Sequence, residues 1–292
     1  MTTGTLALRH QIESARDLQS VVQTMKALAA SSIDQYESSV RALDDYVRTV
    51  SLGLSVSLRT AGERVRPVAG AEADERPLVA VVFGSDQGLA GQFNERIAAF
   101  AHARLAAHDG ALSLWAVGER VEGRLQDLGL AVEGRFDVPV GVQAVVPLVG
   151  RILLANEARL AGAEQTELCL FHNRPAAGSV FEPIHQRILP IDREWLDSLM
   201  AAPWPTNQRP ETIGEPADTL RALLHEYLFV WLFRACAESL ASENASRLAA
   251  MQRADRNIDE LLERLETSFH RERQSSIDAE LFDLIASFEA LG

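Results

Sequence analysis

No proline occurs before Pro67, and over that stretch the apolar residues keep one spacing: Leu8, Ile12, Ala15, Leu18, Val22, Met25, Ala29, Ile33, Tyr36, Val40, Leu43, Val47 and Val50. Nearly every step is three or four residues. That is a heptad-like seam, which predicts one long helix with a narrow apolar stripe rather than several short helices. A helix from about Thr5 to Leu58 would be roughly 80 Å long at about 1.5 Å per residue.

The other end of the chain reads alike. After the proline-rich break APWPTNQRPETIGEP (Ala202 to Pro216) no proline follows, and Leu220, Leu224, Tyr227 and Trp231, then Ile258, Leu262, Leu265 and Phe269, then Ile277, Leu281, Leu284, Phe288 and Leu291 recur at heptad spacing. Such a helix could exceed about 100 Å. Two long helices at opposite ends of one chain, each with a narrow seam, most economically pack on each other as an antiparallel coiled coil.

The middle has another texture. Leu78 to Gly84 (LVAVVFG) is a continuous apolar run rich in valine, the pattern of a strand buried on both faces. Gln92 to Ala107 reads as a helix, Ala111 to Val117 as a strand, Glu119 to Leu128 and Val142 to Leu160 as helices, and Glu167 to His172 and Val180 to Leu189 as strands. Alternating strands and helices imply a Rossmann-like α/β domain with a largely parallel sheet. The expected division is therefore 1–58 N-terminal coiled-coil helix, 59–215 α/β domain and 216–292 C-terminal coiled-coil helix.

Composition removes several function classes. With 292 residues, 47% of them hydrophobic, the chain can bury a sizeable core. A net charge of −13, with Lys26 as the one lysine, argues against a nucleic-acid binder, because phosphate neutralisation needs clustered cations. Cys169 and Cys236 lie far apart in apolar surroundings, which suits buried reduced thiols better than a disulfide framework. No run reaches the roughly 18 to 20 apolar residues of a membrane span, and the N-terminus lacks the pattern of a leader peptide. A soluble protein is expected.

The turn GSDQGLAGQFN (Gly84 to Asn94) is where an α/β enzyme would hold a ligand. Its glycines, Gly84, Gly88 and Gly91, match neither G-x-G-x-x-G nor G-x-x-x-x-G-K-[ST], and no lysine is at hand for a phosphate. The favoured reading is a tight turn with close packing, and Asp86 capping or hydrogen bonding locally. The histidines show no paired metal spacing, and His172 and His185 are expected at strand edges. Ser85 lies in no G-x-S-x-G elbow, and Glu119, Glu122 and Asp127 mark a solvated helix face. No catalytic constellation, cofactor site or metal site is expected.

Three segments, in order, carry a resemblance. LQSVVQTMKALAASS (Leu18 to Ser32) is similar to a Thr-x-x-Met-x-x-Val-Ala-Ala-Ser run; VVFGSDQGLAGQFN resembles a strand followed by Ser/Thr-Asp-Arg-Gly-Leu-Cys-Gly and then Asn; and SENASRLAAMQRADRNI with RQSSIDAELFDLI resembles Ser-Glu-x-x-x-Arg-x-x-Ala-Met-x-x-Ala-x-x-Asn and Arg-Gln-x-x-Ile-Thr-x-Glu. These are signatures of the gamma subunits of F-type ATP synthases, and with the architecture the resemblance spans essentially the whole chain.

The resemblance implies a central rotor stalk, peripheral to the cytoplasmic face of a bacterial inner membrane. Its coiled coil would stand within an alpha3beta3 hexamer, and its α/β domain near the epsilon subunit and the membrane c-ring. It would transmit torque and make no bond itself. Leu248, Met251, Ala254 and Ile258 would pack on the N-terminal helix around Val22, Met25, Leu28 and Ala29. Arg247, Arg253 and Arg256 would face acidic lever segments of beta; Met25 and Lys26 would lie at the lever contact; Arg247 and Gln274, with Asp278 beside them, would form a catch with one beta subunit. The apolar end from Ile277 to Leu291 would turn in a hydrophobic sleeve.

The sequence departs from the family pattern at Ala90 (usually Cys), Gln92 (Gly), Asp278 (Thr) and Ser32 (Lys or Arg). Its acidity points, among gamma subunits, to a divergent one of the alternative N-type operons often linked to sodium coupling, although the ion sites themselves belong to membrane subunits. Two rivals remain in view. A coiled-coil scaffold or adaptor with an inserted α/β domain would dimerise through its seams, and an α/β enzyme with helical appendages would bind a ligand at Gly84 to Asn94.

Overall fold

A computed structural model describes residues 3–61, 76–160, 166–176, 179–201, 204, 207–208 and 214–289. The elements are α1 (Thr3–Ala61), β1 (Leu78–Phe83), α2 (Phe93–Leu105), β2 (Leu112–Val117), α3 (Glu119–Asp127), β3 (Gly134–Phe136), a 3-10 turn (Val142–Ala144), α4 (Val145–Ala155), α5 (Glu157–Leu160), β4 (Glu167–Ala176), β5 (Ser179–Leu189), α6 (Arg193–Ala201) and α7 (Pro216–Glu289). Most of the proline-rich break at 202–216 lies outside the described residues, as do the side chain of Phe288 and all of Leu291.

The chain divides into two compact units. One comprises the described residues up to Ala29 together with those from Arg247 onward; the other is Ala30–Ser246. The division expected from element types, by contrast, follows the ends of the helices. The larger unit thus takes in stretches of both long helices as well as the sheet.

In the larger unit five strands run in the order β3-β2-β1-β4-β5, all parallel except β5, which returns antiparallel to β4. Chain order winds outward from β1 in both directions, so β1 and β4 flank a topological switch point. The alternation of side chains along β1 explains its unbroken apolar run. Val79, Val81 and Phe83 join Leu168 and Leu170 under α4 and the stretch of α7 from Leu232 to Ala241. Leu78, Ala80 and Val82 face α2 and α3 through Ile97, Ala98, Ala101, Val121 and Leu125. Both faces are covered, as a parallel sheet requires.

In the larger unit four expectations change. The helix read over Val142 to Leu160 breaks at Asn156, whose backbone leaves the helical region (φ −111°) and whose side-chain amide donates to the carbonyl of Ile152. The strand β3 and the helix α6 went unread, β3 for its three-residue length and α6 because it abuts the proline-rich break. His172 is not at a strand edge: β4 is interior, and the imidazole is buried against α7.

The smaller unit is an antiparallel helix pair. Arg16 meets Glu266 at 2.7 Å, Gln19 meets Asp259 at 2.5 Å and Lys26 meets Asp255 at 2.5 Å, so partner numbers fall as those of α1 rise. Val22, Met251 and Ile258 form its buried seam, flanked by Met25, Ala250, Ala254 and Leu262. Along α1 burial falls on Thr5, Ile12, Ala15, Val22 and Ala29, which sets the heptad phase. That phase gives the seam position after Ala15 to Gln19 and leaves Leu18 exposed. Leu28, expected in the packing, is 64% exposed because Ala29 holds the seam position beside it.

Candidate functional site

The turn after β1 is built as a junction of backbone and side-chain hydrogen bonds. Asn94, at the start of α2, accepts from Ser85 N (3.0 Å) through Oδ1 and donates to Ser85 Oγ (2.8 Å) through Nδ2, while Ser85 Oγ donates to Gln87 O (2.9 Å). Asp86 accepts from Glu119 N and from Val138 N, each at 2.8 Å, and so ties the turn to the start of α3 and to the chain after β3. Here Asp86 caps a helix across the sequence rather than within its own turn.

The glycines differ in what they do. A Cβ on Gly84 would lie 2.3 Å from Val121 Cβ and 2.7 Å from Asn94 Oδ1, so only a hydrogen fits between β1 and α3. Gly91 has φ +60°, and Leu89 adopts φ +65° in the same turn with its side chain exposed. Gly88 has room around it; the nearest atom to its virtual Cβ is Arg120 Nη2 at 3.9 Å.

The turn's far side is seated on α7. Ser246 Oγ donates to Ala90 O at 2.5 Å, Ser242 Oγ donates to Asn173 O at 3.1 Å, and Asn173 Nδ2 donates to Phe93 O at 3.2 Å. Ala90, Phe93 and Phe181 close a small apolar cluster beside these bonds. The switch-point end of the sheet is thus filled by the chain's own serines. The anion position at the start of α3 is already held by the Asp86 carboxylate, which would repel a phosphate. Ser242 and Ser246 were missed in the sequence. Their signal was a pair of small hydroxyls one helical step apart in a stretch of α7 rich in small side chains.

A second polar cluster sits beneath β4. His172 Nε2 lies 2.9 Å from Glu238 Oε2, and Arg234 Nε donates to Glu238 Oε1 at 2.9 Å; Arg234 also reaches Asp44 at 3.2 Å. Burial pushes the His172 pKa down and keeps the ring neutral, although Glu238 pulls the other way. The neutral ring therefore presents Nε2–H to the carboxylate. Burial alone would raise the Glu238 pKa; the bonds from His172 and Arg234 outweigh it and hold the carboxyl below its ordinary range.

The residues expected to meet other subunits fall into three groups. Arg253, Arg256, Gln274 and Asp278 are exposed; Met25, Arg247 and Leu248 are half-buried, with Leu248 outside the Val22–Met251–Ile258 seam. Lys26 is tied to Asp255, the two side chains being 30% and 16% exposed. At the end of α7, Ile277, Leu281, Phe282, Leu284 and Ile285 are all exposed, Phe282 to 70%. No helix among the described residues is long and apolar enough to cross a membrane.

Comparison with known proteins agrees with these signatures. The family model described as ATP synthase matches residues 5–291. The ATP synthase gamma chain of Methylobacterium nodulans is 30% identical over 97% of this chain and 98% of its own, and that of Bdellovibrio bacteriovorus is 25% identical over 97% of both. Among solved structures, a chain of the Euglena gracilis mitochondrial ATP synthase assembly of OSCP, F1 and c-ring superposes with a TM-score of 0.61 at 15% identity, covering 99% of this chain and 94% of that one. A chain of the Tetrahymena thermophila mitochondrial ATP synthase central stalk and c-ring gives 0.54 at 21% identity, covering 80% and 99%. With the coiled-coil seam, the Gly84–Asn94 turn and the α7 signature in one chain matched along nearly its whole length, the protein belongs to the ATP synthase gamma-chain family.

Proposed function

We propose that this chain is the central rotor stalk of an F-type ATP synthase, coupling ion flow through a membrane c-ring to ATP synthesis or hydrolysis on an alpha3beta3 hexamer. It acts by transmitting torque and carries out no bond chemistry. Its partners are the alpha and beta subunits, the epsilon subunit and the c-ring, and it is held peripherally at the cytoplasmic face of a bacterial inner membrane.

The observation that carries this reading is the end of α7. Five large apolar side chains from Ile277 to Ile285 are exposed on one helix end, which a solitary soluble protein avoids and an apolar sleeve would cover. The exposed Arg253, Arg256, Gln274 and Asp278, with Met25, Lys26 and Arg247 nearer the seam, are assigned to the contacts with beta that form and break during rotation. Exposed charge pairs suit that task because each is weak, on the order of 1 kcal/mol or less. The Gly84–Asn94 junction would carry the load from the sheet into α7.

The test is co-expression with the alpha and beta subunits, purification, and an ATPase assay with the full chain and with a chain ending before Ile277. One copy per three alpha–beta pairs, with turnover that depends on the chain and falls on truncation, is the expected result. Well-folded alpha and beta subunits that assemble and turn over equally well without it would refute the stalk.

A further inference from the structure

On the α2 side of the sheet three metal-ligating side chains converge. Glu167 and Cys169 are two residues apart on β4 and so share a face; His185 comes from the antiparallel neighbour β5. A register shift between Leu168 and Cys169 breaks the regular pairing there, the kind of irregularity that re-aims a side chain. Phe171 holds the imidazole at a ring separation of 5.0 Å. Cys169 Sγ lies 3.2 Å from Glu167 Oε1 and 3.2 Å from His185 Nε2, and all three ligand atoms lie within 4.8 Å of one another.

We propose that Glu167, Cys169 and His185 form a binding site for one thiophilic divalent ion of the Zn2+ type, with water in the fourth position. Tetrahedral zinc, at about 2.3 Å from sulfur and about 2.0–2.2 Å from nitrogen and oxygen, spaces its ligand atoms about 3.3–3.6 Å apart. The two separations from sulfur need change by only a few tenths of an ångström, and Glu167 and His185, whose ligand atoms lie within 4.8 Å of each other, close the rest by side-chain rotation. The sulfur is buried, while Glu167 and His185 are half-buried and leave an approach from solvent.

Charge balance decides whether Arg104 and Arg187, which flank the cluster, forbid a cation. On binding, the thiol proton leaves to solvent and the S–H bond is replaced by a metal–sulfur bond. Thiolate, carboxylate and neutral imidazole then make a site of zero net charge with a dication, so the arginines meet no uncompensated positive charge. Burial and Glu167 push the free thiol's pKa far up, so affinity rises with pH as the proton is easier to displace. The ion would clip β5, an edge strand, to the interior strand β4.

Titration of the full chain with Co2+ tests this through the thiolate-to-cobalt charge-transfer band in the near ultraviolet. The expected result is a band saturating at one ion per chain, bleached by Zn2+, abolished by Cys169→Ser and kept by Cys236→Ser, whose thiol is buried elsewhere in α7. His185→Gln and Glu167→Gln, at half-exposed positions that spare the core, should each weaken binding by at least about tenfold, since each removes one of three protein ligands. Zn2+ should also raise the melting temperature of the unaltered chain and not that of His185→Gln. No band from folded protein, or a band that survives Cys169→Ser, overturns the proposal.

Discussion

One helix behaves in two ways. From Val230 to Ser246, α7 is buried on nearly every side, wedged between α1 and the sheet; from Met251 to Phe269 it buries a narrow stripe and leaves the rest to solvent. Helix propensity does not separate these stretches. What differs is side-chain size. Ala235, Cys236, Ala237, Ser239, Ala241, Ser242 and Ser246 let neighbouring layers approach from several directions, whereas Arg253, Arg256, Asp259 and Glu260 allow packing on one face alone. The first stretch is therefore an internal column of a domain, the second one strand of a two-helix rope.

The largest expected effect follows from this contrast. Leu232→Ala removes a buried side chain where the surrounding layers cannot collapse, and should cost about 2–5 kcal/mol with a fall in the melting temperature of the larger unit. Ile258→Ala, in the helix pair, opens its cavity toward solvent and should cost less, about 2 kcal/mol or below, read as faster local hydrogen exchange between 1–29 and 247–269. Equal global losses from the two substitutions would mean that the helix pair and the sheet domain unfold as one unit.

How much of this was legible follows the same line. Heptad steps revealed both long helices, and the valine run revealed β1, because those patterns repeat over many residues. The seam phase was harder: Leu18 is apolar and one residue from Gln19, yet the bond from Gln19 to Asp259 and the burial of Ala15 and Val22 fix the other choice. Leu28 beside Ala29 repeats the lesson. Lys26 could be placed on α1 but not paired, since Asp255 lies across the chain. The turn was readable as a turn from Gly84 and Gly91, whereas the groups that seat it on α7 are distant in sequence, Asn173 being 80 residues from Phe93 and Ser246 156 residues from Ala90. His185 and Cys169 likewise become neighbours only through β4–β5 pairing, which no linear histidine spacing shows.

An intermediate effect should appear in pH dependence. His172 has its pKa lowered from 6.5 by burial, so the unfolded chain binds a proton that the native state refuses. Stability is complete above about pH 6.5 and declines as pH falls below it, because there the unfolded state binds more protons. Glu238, whose pKa is lowered, adds a loss of the same sign at more acidic pH. His172→Gln should flatten the first decline without removing it, since burial lowers the pKa of His185 as well. Chemical denaturation at several pH values measures the slope; an unchanged slope in the variant would place the titrating group elsewhere.

The smallest effect belongs to the rope. Lys26 and Asp255 are 2.5 Å apart but remain partly exposed, and Asp255 Oδ1 is buried without a hydrogen-bond partner. The Coulomb gain is set against the desolvation of that oxygen and the ordering of a long side chain, so the coupling from a double-mutant cycle of Lys26→Ala and Asp255→Ala should be about 0.5–1 kcal/mol and should shrink in high salt. A coupling above about 2 kcal/mol that ignores salt would show a pair screened from water. In that case the helix pair would be as dry inside as the column from Val230 to Ser246, and the contrast between the two halves of α7 would rest on geometry rather than on solvent.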